Sequence, residues 1–315
     1  MRELLEQTYN IIKESVFSCT AECISLSGGL DSTIIAYFMQ PRKPSAIAVI
    51  SENFVANDLT YCQLAAQRFD LALFIKMYQI EDVYSAIENT IRVLGNFNDI
   101  EIRNNAVMYM AINEAKGRGF SKIVTGDGAD EVFAGYNFLL NKEPENLKSE
   151  LERLNQIMHF PSQVIGRSLG VTVESPFCSK NVIEFARKIP AEHLISEHDG
   201  KRFGKWILRA TFEEKIPKAI AWRPKSPMQD GAGTCGLTDF FDRLIPDNIF
   251  YDKVKKIKSD DNVTIRTKES LQYYEIFVKH HKIPRSDESS IVCPDCKYAI
   301  DSKSRFCRMC GRFPI

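Results

Sequence analysis

Residues Leu26 to Ser32 read Leu-Ser-Gly-Gly-Leu-Asp-Ser, and this stretch decides which fold the chain adopts. Residues 21–26 are short and apolar and predict a buried strand, whereas residues 33–39 are apolar enough for a buried helix. A strand-to-helix turn with two glycines lets backbone N–H groups at the helix start approach a phosphate closely. Ser27 and Ser32 can donate hydrogen bonds to the same oxygens. The stretch therefore predicts an anion-binding loop.

The carboxylate of Asp31 distinguishes this loop from a simple phosphate-binding turn. Alone it would repel a phosphate, so its position indicates a bound Mg²⁺. No lysine follows the glycines, which excludes a Walker A loop. For the loop alone, the alternative is an ordinary glycine turn capped by serine or aspartate.

Composition bounds the class of protein. The chain has 315 residues, 44% of them hydrophobic and 26% charged, as in a globular protein. Its formal net charge of zero gives no whole-molecule attraction to nucleic acids or membranes. No apolar run reaches the roughly 18 residues of a spanning helix, and the N-terminus is acidic and amphipathic, unlike a signal peptide. We expect a cytoplasmic protein with no membrane partner, whose nine cysteines are thiols and metal ligands rather than disulfides.

Apolar segments alternate with amphipathic ones after the loop. Strands are predicted at 45–51, 71–77 and 121–125, and helices at 58–69, 81–94 and 104–116. This alternation predicts an α/β fold with a doubly wound parallel sheet, whose ligands bind at the carboxyl ends of the strands. The chain after residue 144 is mostly helical, with helices predicted at 147–160, 164–169, 180–188 and 203–214. The charged residues 252–268 predict a solvated face or loop, with nucleic-acid binding as the alternative.

A second acidic loop follows the fourth strand. Residues 125–136 read Thr-Gly-Asp-Gly-Ala-Asp-Glu-Val-Phe-Ala-Gly-Tyr, and the carboxylates of Asp127, Asp130 and Glu131 would repel one another unless a cation lies nearby. Asp130 opposite Asp31 would make a two-carboxylate Mg²⁺ site completed by phosphate oxygens and water. The alternative is a solvated acidic turn.

The two loops together resemble the synthetase domain of the asparagine synthetases, which belong to the N-type ATP pyrophosphatase family. Further segments resemble that family in order along the chain, from about residue 20 to residue 240. They are Gly200-Lys201 with Lys205 and Arg209, and Ala221-Trp-Arg-Pro-Lys225 followed by Gly231 and Gly233. The resemblance implies an adenine-nucleotide alpha-hydrolase-like fold.

The resemblance also implies the chemistry of an AMP-forming carbon–nitrogen ligase. A carboxylate, aspartate above all, attacks the α-phosphorus of ATP and releases pyrophosphate, and ammonia then converts the acyl-adenylate to an amide. The implied ATP and pyrophosphate site comprises Leu26, Ser27, Gly28, Gly29, Asp31, Ser32, Val49 and Gly126. Asp31 and Asp130 would hold Mg²⁺. Lys225 would stabilise the α-phosphate and the oxyanion, and Asp127 would accept a proton from ammonia; for Lys225, an exposed surface lysine is the alternative.

Three features depart from the family. Residue 2 is Arg, where the family's glutaminase domain begins with a nucleophilic cysteine, so we expect free ammonia, a separate glutaminase subunit or a different nucleophile. Thr172, Glu174 and Ser179 replace the family's Glu, Arg and Asp, which would weaken the binding of a dianion such as aspartate if this segment lines the acyl site. Arg103 either grips a substrate carboxylate in a bidentate manner or forms a salt bridge at a helix start.

Four cysteines near the C-terminus form two knuckles, Cys293-Pro-Asp-Cys296 and Cys307-Arg-Met-Cys310. This spacing predicts a closed, tetrahedral, structural Zn²⁺ site in a zinc ribbon; free thiols or two disulfides are the alternatives. We expect residues 1–285 to form the ATP pyrophosphatase domain and residues 286–315 the ribbon, with a polar linker at 286–290.

The function of the predicted ribbon is open from sequence. Its basic residues are Lys297, Lys303, Arg305, Arg308 and Arg312. RNA binding, docking of a protein partner and capping of the catalytic domain are all compatible with them. Two alternative functions follow: an ATP pyrophosphatase that modifies tRNA or another macromolecule through the ribbon, and a non-catalytic regulator. Intact Ser27, Asp31, Asp130 and Lys225 argue against the second.

Overall fold

Five parallel strands form the central sheet of the computed structural model, which describes residues 1–283, 291–301 and 304–315. The strands are β1 (Cys23–Ser25), β2 (Ser45–Ser51), β3 (Ala72–Tyr78), β4 (Lys122–Val124) and β5 (Thr172–Glu174). They lie in the order β3-β2-β1-β4-β5, and Ile24 of β1 pairs with Ala46 on one side and Val124 on the other. The predicted α/β fold with a doubly wound parallel sheet is confirmed. A separate antiparallel pair comprises β6 (Ser196–His198) and β7 (Lys201–Phe203).

Helices cover both faces of the sheet. The first eight are α1 (Arg2–Ser18), α2 (Leu30–Met39), α3 (Leu59–Phe69), α4 (Ile80–Leu94), α5 (Asp99–Gly117), α6 (Ala129–Val132), α7 (Pro144–Ile157) and α8 (Pro161–Leu169). The next eight are α9 (Lys180–Lys188), α10 (Ala191–Leu194), α11 (Trp206–Phe212), α12 (Lys218–Ala221), α13 (Met228–Ala232), α14 (Leu237–Leu244), α15 (Asp247–Asp261) and α16 (Lys268–His280).

Two apolar clusters flank the sheet. One contains Ile12 of α1 and Ile34 of α2, and the other contains Ile87 of α4, Ile112 of α5 and Phe277 of α16. Because both faces of β2 are covered, six of its seven residues are buried, and its sequence is a continuous apolar run rather than an alternating one.

The strand order reverses between β1 and β4, which are neighbours in the middle of the sheet. Ligands of open α/β sheets bind at this switch point, because the loops that leave the two strands diverge there. The loop 26–32 follows β1 and the loop 125–131 follows β4. A Cβ atom added to Gly126 would lie 3.0 Å from the Cβ of Asp31, so the two loops are in contact.

The prediction of one helix over 203–214 was wrong at its start. Residues 201–203 form β7, Lys205 adopts a left-handed conformation with φ of 54°, and α11 begins only at Trp206. Strand β5 was not predicted, because three residues with one fully buried side chain carry no periodicity. The charged segment forms most of α15, which has no buried residue and is a solvated face.

The four-cysteine segment packs against the second apolar cluster, to which Cys293, Cys296, Cys307 and Met309 contribute buried side chains. The predicted linker at 286–290, the boundary between 285 and 286, and Lys303 lie outside the described residues. Within the described part of the chain, no helix is both long and apolar enough to span a membrane.

Candidate functional site

A cavity of about 520 Å³ opens at the switch point. It is lined by both loops, by Asn104, Asn105 and Met108 of α5, by residues 159–162 before and within α8, and by residues 223–228. A narrow apolar slot of about 40 Å³ adjoins it, lined by Leu26, Val49, Val107 and other side chains of β1, β2 and α5. Of the residues predicted to bind ATP and pyrophosphate, the structure places Ser27, Gly29, Asp31, Ser32 and Gly126 on the cavity, and Leu26 and Val49 on the slot.

Gly28 is the residue of the first loop that no other amino acid can replace without strain. Its φ is +65°, and a Cβ atom there would lie 2.5 Å from backbone atoms of Tyr61 and Cys62. The hydroxyls of Ser27 and Ser32 lie 3.2 Å apart, and Ser32 lies in the first turn of α2. Gly28 therefore allows the loop to pack closely against α3, and the loop leads into a helix start, as the sequence predicted.

Lys205 lies between the two aspartates that the sequence assigned to Mg²⁺. Its Nζ is 2.6 Å from Asp31 Oδ2 and 2.8 Å from Asp130 Oδ1, and Lys225 Nζ is 2.9 Å from Asp130 Oδ2. Space for this contact depends on Gly135, where a Cβ atom would come within 2.0 Å of Asp130 Oδ1 and 2.2 Å of Lys205 Cε. Two carboxylates and two ammonium groups thus form one neutral cluster at the base of the cavity, which we call the Lys–Asp cluster.

Ion pairing favours the charged forms of Asp130 and Lys205. Burial alone would raise the pKa of Asp130, but Lys205 and Lys225 outweigh burial and lower that pKa below its usual range. Burial would lower the pKa of Lys205, but Asp130 and Asp31 outweigh it and raise that pKa. Only 3% of Lys205 is exposed, so its charge depends on these partners.

The cluster also provides oxygen atoms that fit a divalent cation. Asp31 Oδ1 is buried and accepts no hydrogen bond from the described residues. Mg²⁺ prefers one or two carboxylates together with substrate phosphates. Asp31 and Asp130 are therefore a suitable donor pair, with Lys205 as the cation that holds them together here.

Asp127 lies at the side of the cavity, where burial raises the pKa of its carboxyl group and hydrogen bonds from Ser162 and Thr125 oppose that rise. Its Oδ2 accepts from Thr125 Oγ1 at 2.7 Å and from Ser162 Oγ at 2.6 Å. Glu131 accepts from Tyr136 Oη at 2.6 Å, and burial raises its pKa as well. Both carboxyl groups therefore bind a proton more readily than an exposed carboxyl group does.

Arg209 and Arg223 fix the segment that carries Lys225. Arg209 donates to the carbonyl oxygens of Gly204, Ala221 and Arg223 at 2.9, 2.6 and 2.9 Å, which ties the Lys205 turn to residues 221–223. Arg223 pairs with Asp58 at 2.7 Å. Lys205, Arg209 and Arg223 were not assigned to the site from the sequence, although all three lie in segments that resemble the family.

Arg103 does not line the cavity, so its proposed grip on a substrate carboxylate has no support in the structure. Its guanidinium donates to Thr238 Oγ1 at 2.6 Å and lies 3.3 Å from Glu269 Oε1, as in the salt-bridge alternative. This pairing is possible because α5 turns Arg103 toward α14 and α16, while Asn104 and Asn105 face the cavity.

The substituted residues at 172–179 also lie away from the cavity lining. The carboxylate of Glu174 accepts hydrogen bonds from the backbone N–H groups of Thr20 and Ala21 at 2.8 and 2.9 Å. Ser179 caps α9 by accepting from Val182 N at 3.4 Å. The sequence predicted weaker aspartate binding only if this segment lines the acyl site. Thr172, Glu174 and Ser179 do not line the described cavity, so the structure gives that effect no support.

The four predicted zinc ligands are brought together. Their Sγ atoms all lie within 4.8 Å of one another, with 3.6 Å between Cys293 and Cys310 and 3.5 Å between Cys296 and Cys307. Four thiolates at about 2.3 Å from a tetrahedral Zn²⁺ would be roughly 3.8 Å apart. The cluster fits that ion.

Comparisons with known proteins agree with this architecture. The family model described as asparagine synthase matches residues 3–169 and 163–276. An asparagine synthetase [glutamine-hydrolyzing] 2 from Lotus japonicus is 27% identical over 280 residues, which cover 81% of this chain and 47% of that protein. Asparagine synthetase B [glutamine-hydrolyzing] from Escherichia coli K12 is 25% identical, with 98% of this chain and 59% of that protein covered.

The chain spans about half the length of the curated relatives that it matches. Among solved structures, an NMN synthetase from Francisella tularensis aligns with 91% of this chain and 98% of that chain at 13% identity. Its TM-score of 0.38 is too low to support any argument about this protein.

Proposed function

The chain belongs to the asparagine synthase family, and from this premise we propose that it is an ATP-dependent ligase that adenylates a carboxylate and converts it to an amide with ammonia. AMP and pyrophosphate are the other products. The observation that carries the proposal is the neutral Lys–Asp cluster at the meeting point of the two loops, with Asp127 on the adjoining wall.

ATP binding follows from the two parts of the site. The apolar side chains around Val49 suit contact with an adenine ring, and the loop 26–32 suits the β- and γ-phosphates. Asp31 and Asp130 would hold Mg²⁺, which would neutralise charge on the phosphates and the departing pyrophosphate.

In the first step, a carboxylate oxygen of the acceptor forms a bond to the α-phosphorus while the bond from that phosphorus to the bridging oxygen of pyrophosphate breaks. Negative charge increases on the transferred group, and Lys225 at the cavity surface is placed to stabilise it. Lys205, held deeper by both aspartates, keeps the carboxylates in position before the substrates bind.

In the second step, ammonia attacks the acyl carbon, and the bond from that carbon to the AMP oxygen breaks. The attacking nitrogen must lose a proton. Asp127 is the proposed acceptor, because burial raises the pKa of its carboxyl group and the carboxylate faces the cavity.

Aspartate is the first candidate substrate because the named relatives are asparagine synthetases. The nitrogen donor is left to the test, in which ammonium and glutamine are supplied separately. The tRNA-modifying alternative gains no support from the described ribbon residues. Arg308 donates to the Ile157 carbonyl and Arg312 lies 4.0 Å from Asp295, whereas Arg305 lies 4.0 Å from Glu150 with 62% of its side chain exposed.

A pyrophosphate-release screen over carboxylates, with ATP, Mg²⁺ and either ammonium or glutamine, tests the proposal. We expect release with at least one carboxylate, and loss of release in Asp31→Ala and Lys225→Ala but not in Lys201→Ala, which changes an exposed lysine. Release only when tRNA is added would favour the alternative, and no release with any carboxylate would refute the ligase. Full activity in Asp31→Ala or Lys225→Ala would refute the role assigned to that residue.

A further inference from the structure

The four-cysteine cluster lies against the catalytic part of the protein rather than apart from it. Cys293, Cys296 and Cys307 are each exposed by 2% or less. Asp295, inside the first knuckle, accepts at its carbonyl from Thr264 N at 2.8 Å, and its carboxylate pairs with Arg266. A segment this short needs a bound metal to fold. The contacts that the folded segment makes with the rest of the protein therefore depend on the metal as well.

One set of contacts reaches the start of α5. Phe97 N donates to the carbonyl oxygen of Met309 at 2.9 Å, and a Cβ atom at Gly311 would lie 2.8 Å from Asn98 Oδ1. Asn98 caps α5 by accepting from Glu101 N at 3.4 Å. The second knuckle therefore fixes the beginning of the helix that contributes Asn104 and Asn105 to the cavity.

A second set reaches the turn between α7 and α8. Arg308, between two of the cysteines, donates to the carbonyl oxygen of Ile157. His159 lines the cavity in that turn, and its Nε2 lies 3.8 Å from Glu101 Oε1 of α5. Ser162, at the start of α8, donates to Asp127 at 2.6 Å. Contacts through Ile157 and Ser162 thus connect the second knuckle with Asp127, the proposed proton acceptor.

We propose that the four thiolates bind one Zn²⁺ and that the metal-bound segment positions the acceptor wall of the cavity, defined as residues 157–162 and the first two turns of α5. Zn²⁺ fits because four thiolates at this separation form a closed tetrahedral shell. Such a shell leaves no open position for substrate, so the metal acts through position alone. The effect on turnover rests on the proposed function, whereas the metal and the ordering of the wall do not.

The test uses the full chain and measures metal content together with amide hydrogen exchange. Cys307→Ser removes a ligand, and Arg308→Ala removes the contact with Ile157 while leaving all four ligands in place. Cys235→Ser is the control, because Cys235 is a partly exposed cysteine outside the cluster.

We expect about one Zn²⁺ per chain in the wild type, in Cys235→Ser and in Arg308→Ala. In Arg308→Ala, exchange at 157–162 should rise about tenfold, the size of a lost hydrogen bond to a charged group, while exchange at 26–32 stays unchanged. Cys307→Ser should lose the metal and show faster exchange both at 157–162 and at 97–101. If the ligase is active, the KM for the carboxylate should rise in Arg308→Ala and the KM for ATP should not.

A metal-free wild type would overturn the zinc assignment. Unchanged exchange at 157–162 in Arg308→Ala would overturn the positioning role, and this variant decides the matter even if Cys307→Ser fails to fold. If exchange changes as expected but no carboxylate supports pyrophosphate release, the proposed function fails while the positioning role stands.

Discussion

Replacing Lys205 with methionine removes a buried charge but keeps most of the side-chain volume. The ammonium group lies 2.6 Å from Asp31 and 2.8 Å from Asp130, so its loss leaves Asp31 without this ion pair and Asp130 paired with Lys225 alone. Removing one partner from a buried ion pair costs about 3–5 kcal/mol. Because the aspartate side chains keep 18% and 19% of their surface exposed and Lys225 remains, we expect the lower part of that range, about 3 kcal/mol.

The loss of stability should depend on pH with a defined sign. In the wild type, Lys205 and Lys225 lower the pKa of Asp130 against the effect of burial, so ionised Asp130 contributes stability above the pKa of the unfolded chain. Without Lys205 the pKa of Asp130 rises, and protonation relieves the repulsion with Asp31. The difference between Lys205→Met and wild type should therefore shrink as the pH falls from 7.5 to 5.

Thermal unfolding at both pH values, with and without Mg²⁺, measures these effects. At pH 7.5 we expect the midpoint to fall by about 5 °C for a chain of this size, and Mg²⁺ to restore part of the loss by binding the freed carboxylates. Lys201→Met, at an exposed position of β7, is the control and should leave the midpoint unchanged. An unchanged midpoint in Lys205→Met, or a deficit equal at pH 5 and 7.5, would refute the electrostatic account.

Three further substitutions test other parts of the site. Asp127→Asn should lower kcat by roughly 10²–10⁴-fold while the affinity for ATP is retained. Because burial raises the pKa of Asp127, the acid limb of the wild-type pH–rate profile should lie above the ordinary aspartate range. An unchanged kcat would exclude Asp127 as the proton acceptor. Gly28→Ala should weaken ATP binding measured by calorimetry, since a Cβ atom there meets the backbone at 2.5 Å, and wild-type affinity would show that the loop is not under this constraint. Arg103→Gln should destabilise the fold by about 3 kcal/mol, because it leaves buried Glu269 without its cation. The KM for the carboxylate should stay unchanged, and a raised KM in a stable variant would restore the substrate-binding role.

Four of the five strands of the central sheet were predictable because the pattern of each strand and its loop is local in sequence. β2 and β3 were each placed to within one residue, and the loops after β1 and β4 were expected to meet. The position of Lys205 was not predictable in this way. Its left-handed φ has no signature in side-chain periodicity, and its partner Asp31 is 174 residues away.

The role of Arg103 also depends on residues that are distant in sequence. Its helix was predicted, but the choice between substrate and salt bridge depended on Thr238 and Glu269, which lie on later elements. The substituted residues 172–179 drew attention as residue changes, and only the three-dimensional contacts of Glu174 and Ser179 show that they serve the packing around β1 and α9.

The transfer of a labelled oxygen tests the proposed adenylation most directly. The carboxylate found in the pyrophosphate screen is enriched with ¹⁸O, incubated with the protein, ATP, Mg²⁺ and the nitrogen donor, and the nucleotide product is analysed by mass spectrometry. We predict AMP that carries one ¹⁸O atom, because the carboxylate oxygen bonded to the α-phosphorus leaves with AMP when nitrogen attacks the acyl carbon. Unlabelled AMP, or ADP and phosphate in its place, would contradict activation of the carboxylate at the α-phosphate.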